Sequence, residues 1–227
     1  RALEGSAGPV AIIHHPDVQR MLMTLRALNE GARAVAYVAA SACDKARHPA
    51  DSGVRKQHQA VYEYLVPIVK GFSTENAVEV ASLGIQVHGG MGFIEETGAA
   101  QYYRDARILP IYEGTTAIQA NDFVGRKTLR DGGTVAKALA REMRSTLAEL
   151  QAARAGADGA GLDLIARRLG LAVDAYERAV DYVLANAKES LRAVFLGSVP
   201  YLMLSGTVLA GWQMARAALA SCRHIES

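Results

Sequence analysis

The sequence predicts an all-α protein. Apolar residues recur at three- and four-residue steps over long stretches, and strand-type alternation is absent over any useful length. Proline and glycine fall between those stretches and divide them into helices. Residues 1–16 read as an irregular arm rich in Gly and Ala. Asp17 after Pro16 starts the first helix, in which Val18, Leu22, Leu25, Ala32, Ala36 and Ala39 form one apolar stripe. It ends near Arg47, before Pro49.

A second helical pattern runs from about Val54 to Val87. Val61, Leu65, Ile68 and Phe72 mark one face, continued by Val80, Leu83 and Val87. Pro67 removes a backbone donor and Gly71 weakens the next turn, so a kink or break is expected before Glu75, with Ser73 or Thr74 capping the second piece. A glycine-rich turn follows from His88 to Phe93. A short helix over about Gln101 to Arg107 is stopped by Pro110. Ile118, Phe123, Val124 and Leu129 carry another helix, which ends before Gly132-Gly133. That double glycine divides a unit of 17–131 from an extension of 134–227. The extension reads as helices at about 134 to 154, 161 to 188 and 190 to 222. The segment 156–161 is a flexible linker, and a kink is expected over Gly197 to Pro200. Packed antiparallel helices follow as the architecture.

Composition narrows the function. The 227 residues are 50% hydrophobic, enough for a sizeable core. With 25 basic and 23 acidic residues and no basic block, nucleic acid is not an expected partner. Cys43 and Cys222 lie far apart without metal or redox spacing, which fits a reducing compartment. The arm lacks the apolar core of a signal peptide, and the chain reads as a piece of something longer. Ala193 to Ala215 has no charged residue, but its glycines, Pro200 and polar residues favour a helix buried among helices over a membrane span. His14-His15 lacks companions for a metal site, so a solvated arm is expected. Trp212, near Tyr201, Met203 and Met214, reads as core.

The chemistry-bearing run is Ile111-Tyr112-Glu113-Gly114-Thr115-Thr116. Taken alone, Glu113 is a glutamate on a turn. Ile111 and Tyr112 are expected to dry its surroundings, and Gly114 to let a ligand approach closely. Thr115 or Thr116 suits a helix N-cap. Upstream, Gln86-Val87-His88-Gly89-Gly90-Met91-Gly92 resembles a dinucleotide fingerprint only superficially, because no strand precedes it. Arg104, Asp105 and Arg107 are expected to make ion pairs around the turn.

Together these three segments resemble the C-terminal part of the acyl-CoA dehydrogenases, from Asp17 to about Leu129. The tail, with Ala210-Gly211-Trp212-Gln213-Met214-Ala215, resembles the helical C-terminal extension of the larger members. The resemblance implies that Glu113 is the base that takes the α-proton of an acyl-CoA thioester while the β-hydrogen leaves as hydride to FAD. It implies an oxyanion hole made by the Glu113 N–H and a flavin hydroxyl. Tyr112 and Gly114 would face substrate. Thr115 and Gln119 would contact FAD, and Gln86 and Gly90 would contact the adenosine part of FAD held by a neighbouring subunit. Ala117 departs from the family, which often has glutamine there. Also implied are a homodimer or homotetramer made largely through 17–129, an electron acceptor such as an electron-transfer flavoprotein, and a cytoplasmic location. The family's N-terminal helical domain and middle β-domain have no counterpart in these residues, so the chain alone is not expected to hold flavin. The rival reading is a non-enzymatic helical assembly module.

Overall fold

A computed structural model describes residues 5–153 and 159–225, and among these the regular elements are helices. Helix α1 spans Pro16–Arg47. Pro16 occupies its first turn, where the missing N–H costs nothing, and Asp17 faces the positive end of the helix dipole. A 3-10 turn, Ile12–His14, precedes it. The buried face of α1 is Met21, Gly31, Val35, Ala39 and Ala42. Only Ala39 of the expected stripe belongs to it; Val18, Leu22, Leu25, Ala32 and Ala36 are half-buried. The cause is residue size. A Cβ on Gly31 would come 2.9 Å from that of Ala210, so the small-residue face lets another helix approach closely.

Helix α2 spans Ser52–His88 without interruption, and the expected break after Pro67 does not occur. Asp51 caps it, accepting from Gly53 N at 2.6 Å and Val54 N at 3.2 Å. Proline inside a helix costs about 3 kcal/mol. Tyr64, Leu65, Ile68 and Phe72 around it are all buried. Each such side chain contributes about 1.5–3 kcal/mol, so packing outweighs the local cost. The Thr74 hydroxyl caps nothing; it donates back to the Lys70 carbonyl at 2.7 Å.

Helices α3 (Ala99–Arg107) and α4 (Thr116–Asp122) flank a loop. α4 runs on as a π-helical segment, Phe123–Leu129, where Thr128 Oγ1 donates to the Phe123 carbonyl at 3.0 Å. Phe123 and Val124 are buried as expected, whereas Ile118 is exposed. Gly132 and Gly133 follow with φ of 65° and 73°. They form a tight turn in which Gly133 N donates to Thr128 O at 2.9 Å.

Helices α5 (Thr134–Ala153) and α6 (Gly159–Asn186) pair next. Arg144 on α5 reaches both Asp174 and Glu177 on α6. In the expected linker, 156–158 lie outside the described residues, and 159–161 open α6. The last stretch is two helices rather than one kinked helix. α7 (Leu191–Leu196) ends at Gly197, and α8 begins at Ser198 and runs to Ile225.

Helix α8 packs on α1, α2, α4 and α6, so one apolar core runs through both halves of the chain. At its centre the Tyr64 and Tyr176 hydroxyls meet at 2.6 Å, and those of Tyr201 and Thr128 at 3.1 Å. Phe123 contacts the rings of Tyr64 and Tyr201. Trp212 is core as expected, its Nε1 donating to Thr146 Oγ1 at 2.8 Å. Both cysteines are free. No helix of the described residues is long and apolar enough to cross a membrane.

Candidate active site

The chain between α3 and α4 is a short loop held shut at its base. Ile111 N and Tyr112 N both donate to the Ile108 carbonyl, and Thr116 N donates to Pro110 O at 3.1 Å. Closing so few residues forces an unusual backbone. Glu113 has φ of 51°, the one non-glycine residue with positive φ among those described, and Gly114 follows at 98°. A glutamate in the left-handed region costs about 1–2 kcal/mol, and such strain collects at functional sites. The φ of Gly114 is what favours glycine there; a Cβ would also come 2.8 Å from Gln119 Nε2, the movable end of a side chain.

The loop projects Glu113 outward. Its side chain is exposed, and Ile111 and Tyr112 are 46% and 47% exposed. The expected drying by these neighbours is therefore not achieved: their side chains also face outward. The Glu113 N–H makes no hydrogen bond among the described residues and is free to donate. Thr115 caps α4, its Oγ1 accepting from Ile118 N at 3.4 Å, as the local reading expects.

Helix α2 anchors the loop at two points that the sequence did not reveal. Lys70 Nζ donates to the Leu109 carbonyl at 2.5 Å and lies 4.8 Å from the centre of the Tyr112 ring. Glu75 accepts from Thr116 Oγ1 at 2.6 Å. Both sit on α2 with no motif around them. No sequence signal marks either residue as the partner of a loop some forty positions away.

Gln86 and Gly90 lie elsewhere. Both are exposed at the C-terminal end of α2, where Gly89 turns the chain at φ 64°. From Lys70–Glu75 to Gln86 the helix rises by roughly 20 Å at 1.5 Å per residue. The structure therefore does not bring Gln86 and Gly90 to Glu113, Thr115 and Gln119 within one chain. Arg104 pairs with Glu95 through both carboxylate oxygens, at 2.8 and 2.9 Å, and holds that carboxyl below its usual range. Asp105 and Arg107 are exposed and make no ion pair among the described residues. No cluster suited to a metal ion occurs among the described residues.

Residues 5–129 match the family model of the acyl-CoA dehydrogenase C-terminal domain. This chain belongs to the acyl-CoA dehydrogenase family. Residues 137–227 match a second model, described as acetyl-CoA dehydrogenase C-terminal like. The chain is 53% identical over 222 residues to 3-methylmercaptopropionyl-CoA dehydrogenase of Ruegeria pomeroyi, covering 97% of this chain and 37% of that protein. It is 34% identical to the broad-specificity linear acyl-CoA dehydrogenase FadE5 of Mycobacterium tuberculosis, covering 98% and 36%. The chain thus spans little more than a third of these acyl-CoA dehydrogenases. In fold it resembles Caenorhabditis elegans ACDH-11, solved in complex with C11-CoA, with a TM-score of 0.63 at 18% identity over 88% of this chain and 33% of that one. The helical bundle and the helices after it thus match the C-terminal domains of the acyl-CoA dehydrogenase family, as expected.

Proposed function

We propose that this chain is the C-terminal portion of an FAD-dependent acyl-CoA dehydrogenase and that Glu113 is its catalytic base. One observation carries the reading. Glu113 is held at positive φ, with an exposed carboxylate and an unbonded N–H, on a loop tied twice to α2. A carboxylate fixed this way reaches the α-proton of a thioester presented from outside the chain. The free N–H donates to the thioester oxygen as negative charge develops there. Tyr112 and Gly114 border the place of the substrate. Closure against the rest of the enzyme supplies the dry surroundings that Ile111 and Tyr112 do not provide.

The donor set fits one edge of an extended anionic cofactor. Thr115 presents an exposed hydroxyl at the start of α4, with the Gln119 amide packed on Gly114. Gln86 and Gly90 present a second exposed edge, and a Cβ on Gly90 would meet nothing within 4 Å. Because these edges are separated along α2, each serves a different FAD molecule in an assembly of subunits. FAD, when bound, supplies the acceptor for the β-hydrogen as hydride. The division into units of 17–131 and 134–227, a homodimer or homotetramer, an electron-transfer flavoprotein as acceptor and a cytoplasmic location are parts of the same proposal. Phe93, Tyr102, Ile108 and Ile118, all exposed within 17–129, support self-association.

The test separates enzyme from assembly module. The longer polypeptide is purified, its visible spectrum recorded, and an acyl-CoA added without oxygen. A bound flavin band that bleaches with acyl-CoA is expected. A colourless, folded protein, or a flavin that no acyl-CoA reduces, favours the module.

A further inference from the structure

The Lys70 ammonium is directed at the Glu113 loop rather than at a carboxylate. Lys127 and Lys137 pair with Glu63 and Asp181, at 3.4 and 3.6 Å. Lys70 is half-buried on α2 and has no carboxylate at salt-bridge distance among the described residues. Its Nζ instead donates to the Leu109 carbonyl at 2.5 Å and stands 4.8 Å from the centre of the Tyr112 ring. A hydrogen bond with an ionised donor is stronger than a neutral one, and a cation is drawn to an aromatic face. The loop depends on such a grip at its entry. Its backbone bonds are local: Ile111 N and Tyr112 N donate to Ile108 O, and Thr116 N to Pro110 O. The Glu75–Thr116 bond fixes the exit, where α4 starts. The Tyr112 ring is half exposed, so packing alone does not set its direction. Glu113 stands at φ 51°, and a non-glycine residue stays there only where its surroundings over-determine it.

We infer that Lys70 is a positioning residue for Glu113: its ammonium, shared between the Leu109 carbonyl and the Tyr112 ring, holds the loop entry so that Glu113 keeps its left-handed backbone. This rests on the reading of Glu113 as the base. In this role Lys70 acts through Leu109 and Tyr112 and not on the substrate. Without the ammonium the Tyr112 ring turns freely, and Glu113 relaxes toward ordinary φ. The N–H and the side chain of Glu113 are joined at one Cα. Rotation about φ therefore turns them relative to each other, and proton acceptor and oxyanion donor lose their common register. The loss falls on proton removal rather than on binding of the thioester. Arginine at this position keeps both the charge and the donor. Methionine keeps only the apolar stem.

Lys70→Met, Lys70→Arg and Tyr112→Leu are made in the longer enzyme. Hydrogen exchange with peptide mass spectrometry reads the loop without flavin chemistry. In Lys70→Met the amides of Ile111 and Thr116 are expected to exchange faster by about tenfold or more, while peptides of α5 and α6 keep wild-type rates. Flavin bleaching is then followed in stopped flow with the acyl-CoA that bleaches the wild-type enzyme. At saturation it is expected to slow by about tenfold to 10²-fold, with FAD content and the half-saturating concentration unchanged. Lys70→Arg is expected to recover most of both losses. Wild-type exchange in the loop of Lys70→Met overturns the inference. So does exchange accelerated equally in α5 and α6, slowing that excess acyl-CoA cures, or an arginine variant no better than methionine. Should Lys70→Met not fold, Tyr112→Leu changes an exposed residue and removes the ring. Its loop is expected to exchange faster, and wild-type rates there overturn the inference as well. Glu113→Gln that bleaches at the wild-type rate defeats the base reading instead, and the exchange rates still report whether Lys70 holds the loop.

Discussion

The Thr116 hydroxyl donates to Glu75 Oε1 at 2.6 Å, which fixes the first residue of α4 to the middle of α2 three positions after Glu113. With Lys70 on the Leu109 carbonyl, α2 grips the loop on both sides of the glutamate. The position of Glu113 is thereby coupled to the core, because the same stretch of α2 buries Ile68 and Phe72.

Thr116→Val removes that bond and leaves a part-buried carboxylate unpaired. Hydrogen bonds to charged groups are worth about 1.5–3 kcal/mol, and the unfolding free energy of the chain should fall by an amount in that range, read as a lower urea midpoint at constant slope. In the longer enzyme turnover should fall while FAD content holds. A midpoint unchanged from wild type would show that the Glu75 contact anchors nothing.

The positive φ of Glu113 makes a stability prediction opposite in sign to its effect on activity. Glu113→Gly relieves about 1–2 kcal/mol of left-handed strain and adds about 0.5–1 kcal/mol of backbone entropy to the unfolded state. The variant should be more stable by a few tenths to about 1 kcal/mol, read as a higher urea midpoint at constant slope. A lower midpoint would mean that the backbone there is unstrained.

Two glycines of α8 should respond in opposite ways. A Cβ on Gly206 runs into the Phe72 ring, whereas one on Gly211 meets nothing within 4 Å. Gly206→Ala should cost about 1–3 kcal/mol by overpacking. Gly211→Ala should gain about 0.4–1 kcal/mol from helix propensity and a stiffer unfolded chain. Thermal unfolding of the two variants reads both signs in one experiment.

Burial pushes the Tyr64 and Tyr176 hydroxyls well above the ordinary tyrosine range, and that of Tyr201 up as well. Groups whose folded pKa is raised contribute their stability fully below the unfolded value of about 10. That contribution is lost as pH climbs from there through the folded values. Stability should therefore decline above about pH 10. Tyr64→Phe should make the decline shallower, at a cost near neutral pH of about 1–3 kcal/mol for the unpaired Tyr176 hydroxyl. An identical alkaline slope in the variant would count against the buried pair as the cause.

How far the sequence could be read depended on which forces decide each element. Helix type and order were legible because periodicity reports burial directly, as at Leu65, Ile68 and Phe72. The continuity of α2 through Pro67 was not, because tertiary packing overrides a local breaker. Of the buried face of α1 only Ala39 was anticipated; that face centres on Gly31, whose contribution is close approach to Ala210 rather than apolar area. The Glu113 run stood out as a motif. Lys70 and Glu75 did not, since a single lysine or glutamate in a helix carries no mark of the loop it will meet.

The central claim is that Glu113 is the base, and one substitution tests it most directly. Glu113→Gln in the longer enzyme keeps the shape of the side chain and removes the proton acceptor. Loss of a general base costs about 10²- to 10⁴-fold, so the rate of flavin bleaching by an acyl-CoA in stopped flow should fall by that factor with FAD content unchanged. Bleaching at the wild-type rate in this variant would contradict the assignment of Glu113.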